Sequence, residues 1–278
     1  MILVTAATAP VGRSIVEQLV EQGRGVRALT RDPRVAGLPA AADLAAGDLS
    51  DPESLRAAMA GVSAVFLLAV VPGFAPAFLD AANEAGVRRI VFQSSAAIED
   101  SGDEQPNPIA AFHHDIERAI QASGLEWTFL RLEVASADAL QWAFDVPGQL
   151  ERGDVVRGPY ADAAGSPVHF ADFAAVAVAA LTDDRHAGET YILTGPKSVT
   201  NAEQIALVGA ALRRTLRYEE LSPAEAREAI GPHAPVDVLM ASWEKHRVTP
   251  APVTDTVERV TGRPPRTVEQ WAADYPAR

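Results

Sequence analysis

The sequence has no cysteine. That excludes disulfides, thiolate nucleophiles and Cys-ligated zinc. Lysine is nearly absent too, confined to Lys197 and Lys245, and the arginines are scattered among acids. With 37 acidic against 24 basic residues, the formal charge is −13. No basic patch stands out, so a phosphate backbone would be repelled and no nucleic-acid partner is expected. Long apolar runs are missing. The longest, Ala64 to Pro72, has the length of a strand, well short of the ~20 residues of a membrane-spanning helix. Met1-Ile2-Leu3-Val4-Thr5 lacks the basic start of a signal peptide. A cytoplasmic protein with no membrane partner is the expectation. What is present is ordinary globular composition, with 278 residues, 48% hydrophobic and 22% charged. Such a chain suits one large domain or one domain with a small lobe.

The first half alternates short apolar runs with amphipathic stretches. Ile2–Thr5, Gly25–Thr30, Ala64–Leu68, Arg89–Gln93 and Trp127–Arg131 read as strands. Pro10–Gln22, Asp51–Met59, Pro72–Ala85 and Ile109–Ser123 read as helices, with Asp51 as an N-cap and Gly124 as a stop. Strands this continuously apolar belong in a sheet covered on both faces. The spacing predicts an α/β fold, a Rossmann-like doubly wound parallel sheet of about seven strands. After residue 134 the strands shorten. We read residues 1–134 as the dinucleotide-binding core and residues 135–278 as a small C-terminal α/β lobe. That lobe is interleaved with the last sheet strands, Tyr191–Thr194 being placed to rejoin the sheet.

The first strand runs into Thr5-Ala6-Ala7-Thr8-Ala9-Pro10-Val11-Gly12-Arg13, and a helix follows. A dinucleotide-binding turn has three glycines at such a place. One makes the turn, one admits the pyrophosphate, and one packs helix on strand. Here only the third remains, as Gly12. Ala6 and Ala9 stand in the other two positions, and their methyls are expected to weaken pyrophosphate binding.

From this loop onward the chain resembles the NmrA-like atypical branch of the short-chain dehydrogenase/reductase superfamily. The loop is similar to its T-G-A-T-G-x-x-G-R motif. Gly47-Asp48-Leu49-Ser50-Asp51-Pro52-Glu53-Ser54-Leu55, Gln93-Ser94-Ser95-Ala96, the segment Ser123 to Arg131, and Tyr191 to Pro196 resemble later family segments in the same order. The resemblance implies an NAD(P)H-dependent oxidoreductase that reduces a small carbonyl, enone or quinone-like molecule. It implies cofactor contacts from Thr5, Ala6, Thr8, Ala9, Pro10, Val11 and Gly12, from Leu68 and Ala69 at the fourth strand, and from Ser94. It also implies that Asp48, at the end of the third strand, meets the adenine edge beside Leu49. A turn role is the other reading of Asp48. A ribose-binding acid is absent at Leu29, Thr30 and Arg31, and Arg31 can accommodate a 2′-phosphate, so NADP (NADPH) is favoured, a solvated surface Arg being its other reading.

The catalytic expectations rest on departures from the family. No Tyr is followed four residues later by Lys. Alignment through Ile116 and the Ser123-Gly124 corner puts His113 where relatives carry Lys, with His114 beside it. Leu130-Arg131 is followed by Leu132-Glu133, where the family commonly has Pro-Gly. Glu133 is thereby expected near the carboxyl edge of the sheet, where ligands of open α/β sheets bind. Glu133 and His113 are the acid/base candidates, and Ser95 the hydroxyl for nicotinamide ribose or a substrate carbonyl, strand-end capping being its other reading. His114, with His113 beside it, has H-x-x-E spacing to Glu117, but no second ligand cluster exists, so no metal is expected. Trp142 and Phe144 are candidates for core packing or the floor of a substrate pocket, and Asp172 for a helix cap. Two rival readings stand beside the oxidoreductase: a cofactor-independent isomerase, cyclase or lyase, favoured by the altered loop and the missing Tyr–Lys pair, and a non-catalytic nucleotide-sensing regulator, a role the resemblance also implies.

Overall fold

The computed structural model describes residues 1–35, 37–69, 71–102, 104–133, 143–230 and 235–274. The chain begins with β1 (Ile2–Val4), α1 (Pro10–Glu21), β2 (Val26–Thr30), β3 (Asp43–Ala46), α2 (Pro52–Met59) and β4 (Ala64–Leu67). It continues with α3 (Ala75–Glu84), β5 (Arg89–Ser95), α4 (Pro108–Ala122) and β6 (Glu126–Leu132). Then come α5 (Val146–Arg152), β7 (Val155–Gly158), β8 (Ala164–Gly165), α6 (Phe170–Thr182) and β9 (Glu189–Leu193). The remainder is β10 (Val199–Thr200), α7 (Asn201–Leu212), β11 (Arg217–Glu220), α8 (Pro223–Ala229), α9 (Val236–Lys245), α10 (Thr256–Thr261) and α11 (Val268–Asp274).

Seven strands form one sheet in the order β3-β2-β1-β4-β5-β6-β9. The pairings from β3 through β5 are parallel, with Leu3 opposite Arg27 and Val65, and Leu67 opposite Phe92. This is the doubly wound, Rossmann-like α/β fold. Alternation along the strands sorts the side chains. Leu3, Val65, Leu67, Ile90 and Phe92 pack with Leu55, Met59, Phe78 and Ile116 from α2, α3 and α4. Phe66, between them in β4, turns the other way and meets Phe173 of α6 edge-on at 6.4 Å. α1 packs on α6, where Gln18 Nε2 donates to the Ala171 carbonyl at 2.9 Å. Burying each such Leu or Phe contributes roughly 1.5–3 kcal/mol.

The chain forms two compact units. The first comprises Met1–Arg131 and Phe170–Ile192, and the second Leu132–His169 and Leu193–Arg278. The sequence reading kept α6 in the C-terminal lobe, whereas α6 belongs with the sheet. Its face of Phe173, Ala174, Val176, Ala177, Ala180 and Leu181 is buried, and it packs on α1, β4 and β5. The second unit has its own core, in which Phe144, Val146, Val156, Ile205, Leu239 and Trp243 cluster. Its two small sheets pair β11 with β7 in parallel and β10 with β8 antiparallel. Among the described residues, no helix is long and apolar enough to cross a membrane.

Local chemistry sets the element ends. Asp51 caps α2 through the Glu53 and Ser54 amides, and Asn107 caps α4 through Ile109 and Ala110. Ser222 and Glu225 form a capping box at the start of α8. The helix expected from Pro72 starts later, at Ala75, because Gly73 takes φ 77° and cannot enter a right-handed turn.

Candidate functional site

The first unit holds a cavity of about 600 Å³ where β1, β2 and β4 end and α1 begins. Its wall carries Thr5, Ala6, Thr8, Ala9, Arg31, Asp48, Leu49 and Leu68. These are eight of the residues the sequence reading nominated for a cofactor. Leu29, Thr30, Asp32, Gly47 and Val71 also line it and were not foreseen, because each reads as ordinary strand or loop. Pro10, Val11 and Gly12 form the first turn of α1 rather than the cavity wall. Ala69 is buried.

The loop conformation separates the three positions. Ala6 takes φ 47°, the left-handed region that favours glycine. Ala9 is extended at φ −70° and needs no glycine. A Cβ on Gly12 would overlap the Ala6 carbonyl oxygen and press on the Ala7 backbone. Both alanine methyls stand on the wall of a cavity that remains open. Ala9 is the N-cap of α1 and offers no side-chain cap. The first-turn amides therefore face the loop without a side-chain acceptor, as an anion site requires. Thr5 serves the scaffold: its Oγ1 accepts from the Leu68 amide at 2.9 Å, tying β1 to β4.

Arg31 is exposed on the cavity rim. The neighbouring acid is taken elsewhere, since Asp32 accepts two bonds from the Arg34 guanidinium and one from its amide. Asp48, read as a strand end, lies two residues beyond β3 in a turn. It accepts from the Ser50 hydroxyl at 2.6 Å and the Ser50 amide at 2.9 Å. Those bonds, with Arg31 nearby, hold its carboxyl below the usual carboxylate range. Turn chemistry and cavity wall thus coincide at Asp48. Arg13 donates to the Gly37 carbonyl at 2.5 Å, tethering the loop that follows Arg31.

The candidates at β5 divide. Ser94 Oγ donates to Glu117 Oε1 at 2.5 Å, away from the cavity. Glu117 also accepts two bonds from Arg131, which donates to Asp100 as well. Burial works against the Arg131 charge, but these two acids outweigh it and raise its pKa. This buried network was missed, because its members lie in separate elements. Ser95 Oγ accepts from the Ala97 amide at 3.2 Å, a strand-end cap that leaves its own proton to donate.

His113 stacks on Phe92, and its Nδ1 donates to the Ile109 carbonyl at 2.8 Å. Burial lowers its pKa, so the ring is neutral and Nε2 is an acceptor. His114 lines a separate polar cavity with Asp100, Glu117 and Arg131. Glu133 belongs to the second unit, half-buried. Burial raises its pKa, opposed by the charges of Lys245 and His246. Phe144 packs on Trp243 in the second core. Asp172 is buried in the first turn of α6. Trp142 lies outside the described residues.

Known proteins resemble this chain along most of its length. A family model described as NAD(P)H-binding matches residues 6–184. A (4-alkanoyl-5-oxo-2,5-dihydrofuran-3-yl)methyl phosphate reductase of Streptomyces griseus is 38% identical, covering 99% of this chain and 98% of the relative. An NAD(P)H azoreductase of Xenophilus azovorans is 33% identical, covering 100% and 98%. The crystal structure of an NADPH-dependent quinone oxidoreductase of Escherichia coli superposes with a TM-score of 0.77. It is 25% identical and covers 99% of each chain.

Proposed function

The chain belongs to the NAD(P)H-binding family, and from that premise we propose that it is an NAD(P)H-dependent oxidoreductase. It reduces a small carbonyl, enone or quinone-like molecule by hydride transfer. The observation that carries this reading is the start of α1, which has no side-chain cap and opens into a cavity of about 600 Å³. The cavity accepts a nucleotide despite the two alanine methyls. The relatives support the substrate class, since azo groups, quinones and acyl-furanones are all conjugated electron acceptors.

In this reading the first-turn amides of α1 and Thr8 hold the diphosphate, and Asp48 and Leu49 flank the adenine. Arg31 meets a 2′-phosphate, so NADPH is preferred to NADH. The bound cofactor supplies the hydride. Ser95 donates a hydrogen bond from its hydroxyl to the substrate oxygen, holding it without giving up the proton. His113, neutral and with its Nδ1 proton committed, orients rather than protonates. Glu133, in the second unit, is the further acid/base group of this reading, because burial keeps its carboxyl protonated to higher pH than an ordinary glutamate. The acceptor is a free small molecule in the cytoplasm, and a charge of −13 disfavours a nucleic-acid partner.

The test is titration of the purified protein with NADPH and NADH, followed by tryptophan fluorescence. Loss of NADPH absorbance is then recorded with a quinone present. Saturable NADPH binding and quinone-dependent oxidation are expected. No binding of either nucleotide would overturn the proposal.

A further inference from the structure

Gln93 stands on β5 between side chains that have partners. Phe92 packs against His113 and Phe129, Ser94 bonds Glu117, and Ser95 caps the strand end. Gln93 Oε1 is sealed from solvent and has no hydrogen-bond partner, alone in this among the buried side-chain atoms of the described residues. An unmet buried acceptor costs about 1–3 kcal/mol. A leucine or methionine here would incur no such cost.

Strand geometry places this oxygen. Ser94 points to α4, so Gln93 points to the opposite face, which α1 and α6 cover. The register of Leu67 with Phe92 sets Leu68 beside Gln93 on the next strand. Leu68 lines the nucleotide cavity. Gln93 is thus one strand further along the edge that begins with the phosphate loop.

We propose that Gln93 recognises the carboxamide of a bound nicotinamide, its Oε1 accepting a hydrogen bond from that group's NH2. This rests on the NAD(P)H-dependent reading above. The adenine and phosphate end is served by Arg31, Asp48 and α1. A quinone or enone offers only acceptors and cannot satisfy Oε1. The nicotinamide carboxamide donates in both oxidation states of the ring, so Gln93 reads the cofactor and not its redox state.

The experiment compares the parent and Gln93→Met by calorimetric titration with three probes. These are NADPH, its 3-acetylpyridine analogue, in which methyl replaces the NH2, and 2′,5′-ADP, which lacks the nicotinamide. The parent is expected to bind NADPH about tenfold more tightly than the analogue, a difference of about 1.4 kcal/mol. Gln93→Met should erase that preference, leave 2′,5′-ADP affinity unchanged, and leave the ligand-free Tm equal or higher. Equal parent affinities for NADPH and its analogue would overturn the proposal, as would a preference that survives in the variant. The parent comparison needs no variant, and Gln93→Leu replaces Gln93→Met if the latter misfolds. If 2′,5′-ADP binds and only the carboxamide preference is missing, Gln93 alone is misassigned. If the parent binds none of the three probes, the cofactor reading falls with it.

Discussion

At Ala6 the backbone takes φ 47°, which costs an alanine about 1–2 kcal/mol relative to its preferred regions. Glycine relieves that strain but loses more chain entropy on folding. Ala6→Gly is therefore expected to change stability by less than about 1 kcal/mol. The double change Ala6→Gly with Ala9→Gly should tighten dinucleotide binding by removing two methyls from the cavity wall. An unchanged Kd would show that these alanines do not limit binding. Gly12→Ala is expected to fail differently, lowering Tm sharply, because its Cβ meets backbone that cannot move aside. Arg31→Ala should abolish the preference for NADPH over NADH while sparing NADH binding, and nucleotide titrations of both proteins check it. At Glu133, burial raises the folded-state pKa. The charged form is thus disfavoured in the fold, and stability falls as pH rises from the unfolded value, about 4.3, through the raised one. Glu133→Gln removes that penalty. It is expected to melt higher than the parent at neutral pH and equally near pH 4, while turnover falls at least about tenfold. A Gln variant with full turnover would remove Glu133 from the reaction.

The junction of α4 with β5 and β6 depends on one buried carboxyl. Glu117 receives Ser94 and Arg131 together, and both it and Arg131 are almost wholly buried. Glu117→Leu leaves Arg131 with only the exposed Asp100, a pairing worth little. A loss of about 3–5 kcal/mol is expected, read by urea denaturation. Sequence patterns reveal such elements but not such junctions. The runs Ile2–Thr5 and Ala64–Leu68, Asp51 before Pro52, and the Ser222–Glu225 box announce strands and helix starts, because their physics is local. The eight cavity residues follow from the family resemblance, and only Thr5, Ala6, Thr8 and Ala9 belong to the strand-to-helix turn that local patterns reveal. Asp32, Gly47 and Val71 join that cavity only through sheet order, and Ser94 leaves it because α4 offers a partner 23 residues away. Gln93 reads as one more polar residue until the register sets it beside Leu68. Lys245 and His246, whose charges oppose the effect of burial on Glu133, are distant in sequence and give no local signal.

The whole molecule is built from a first unit interrupted by part of the second. α1 and the sheet lack their cover until α6 returns, and β6 lacks its outer neighbour until β9 does. A fragment of residues 1–134 is therefore expected to expose the apolar face that α6 buries, to bind a hydrophobic dye such as ANS, and to melt without cooperativity. A soluble, cooperatively melting fragment would show that α6 and β9 are accessories. The same interruption sets a timetable at the ribosome. Synthesis proceeds at ~5–20 residues per second, and the residues up to Arg131 emerge well before Phe170–Ile192. For several seconds the nascent sheet has an open apolar flank and an unpaired edge. Translation speed across the intervening segment, and the supply of chaperones during it, thus become determinants of the yield of native protein.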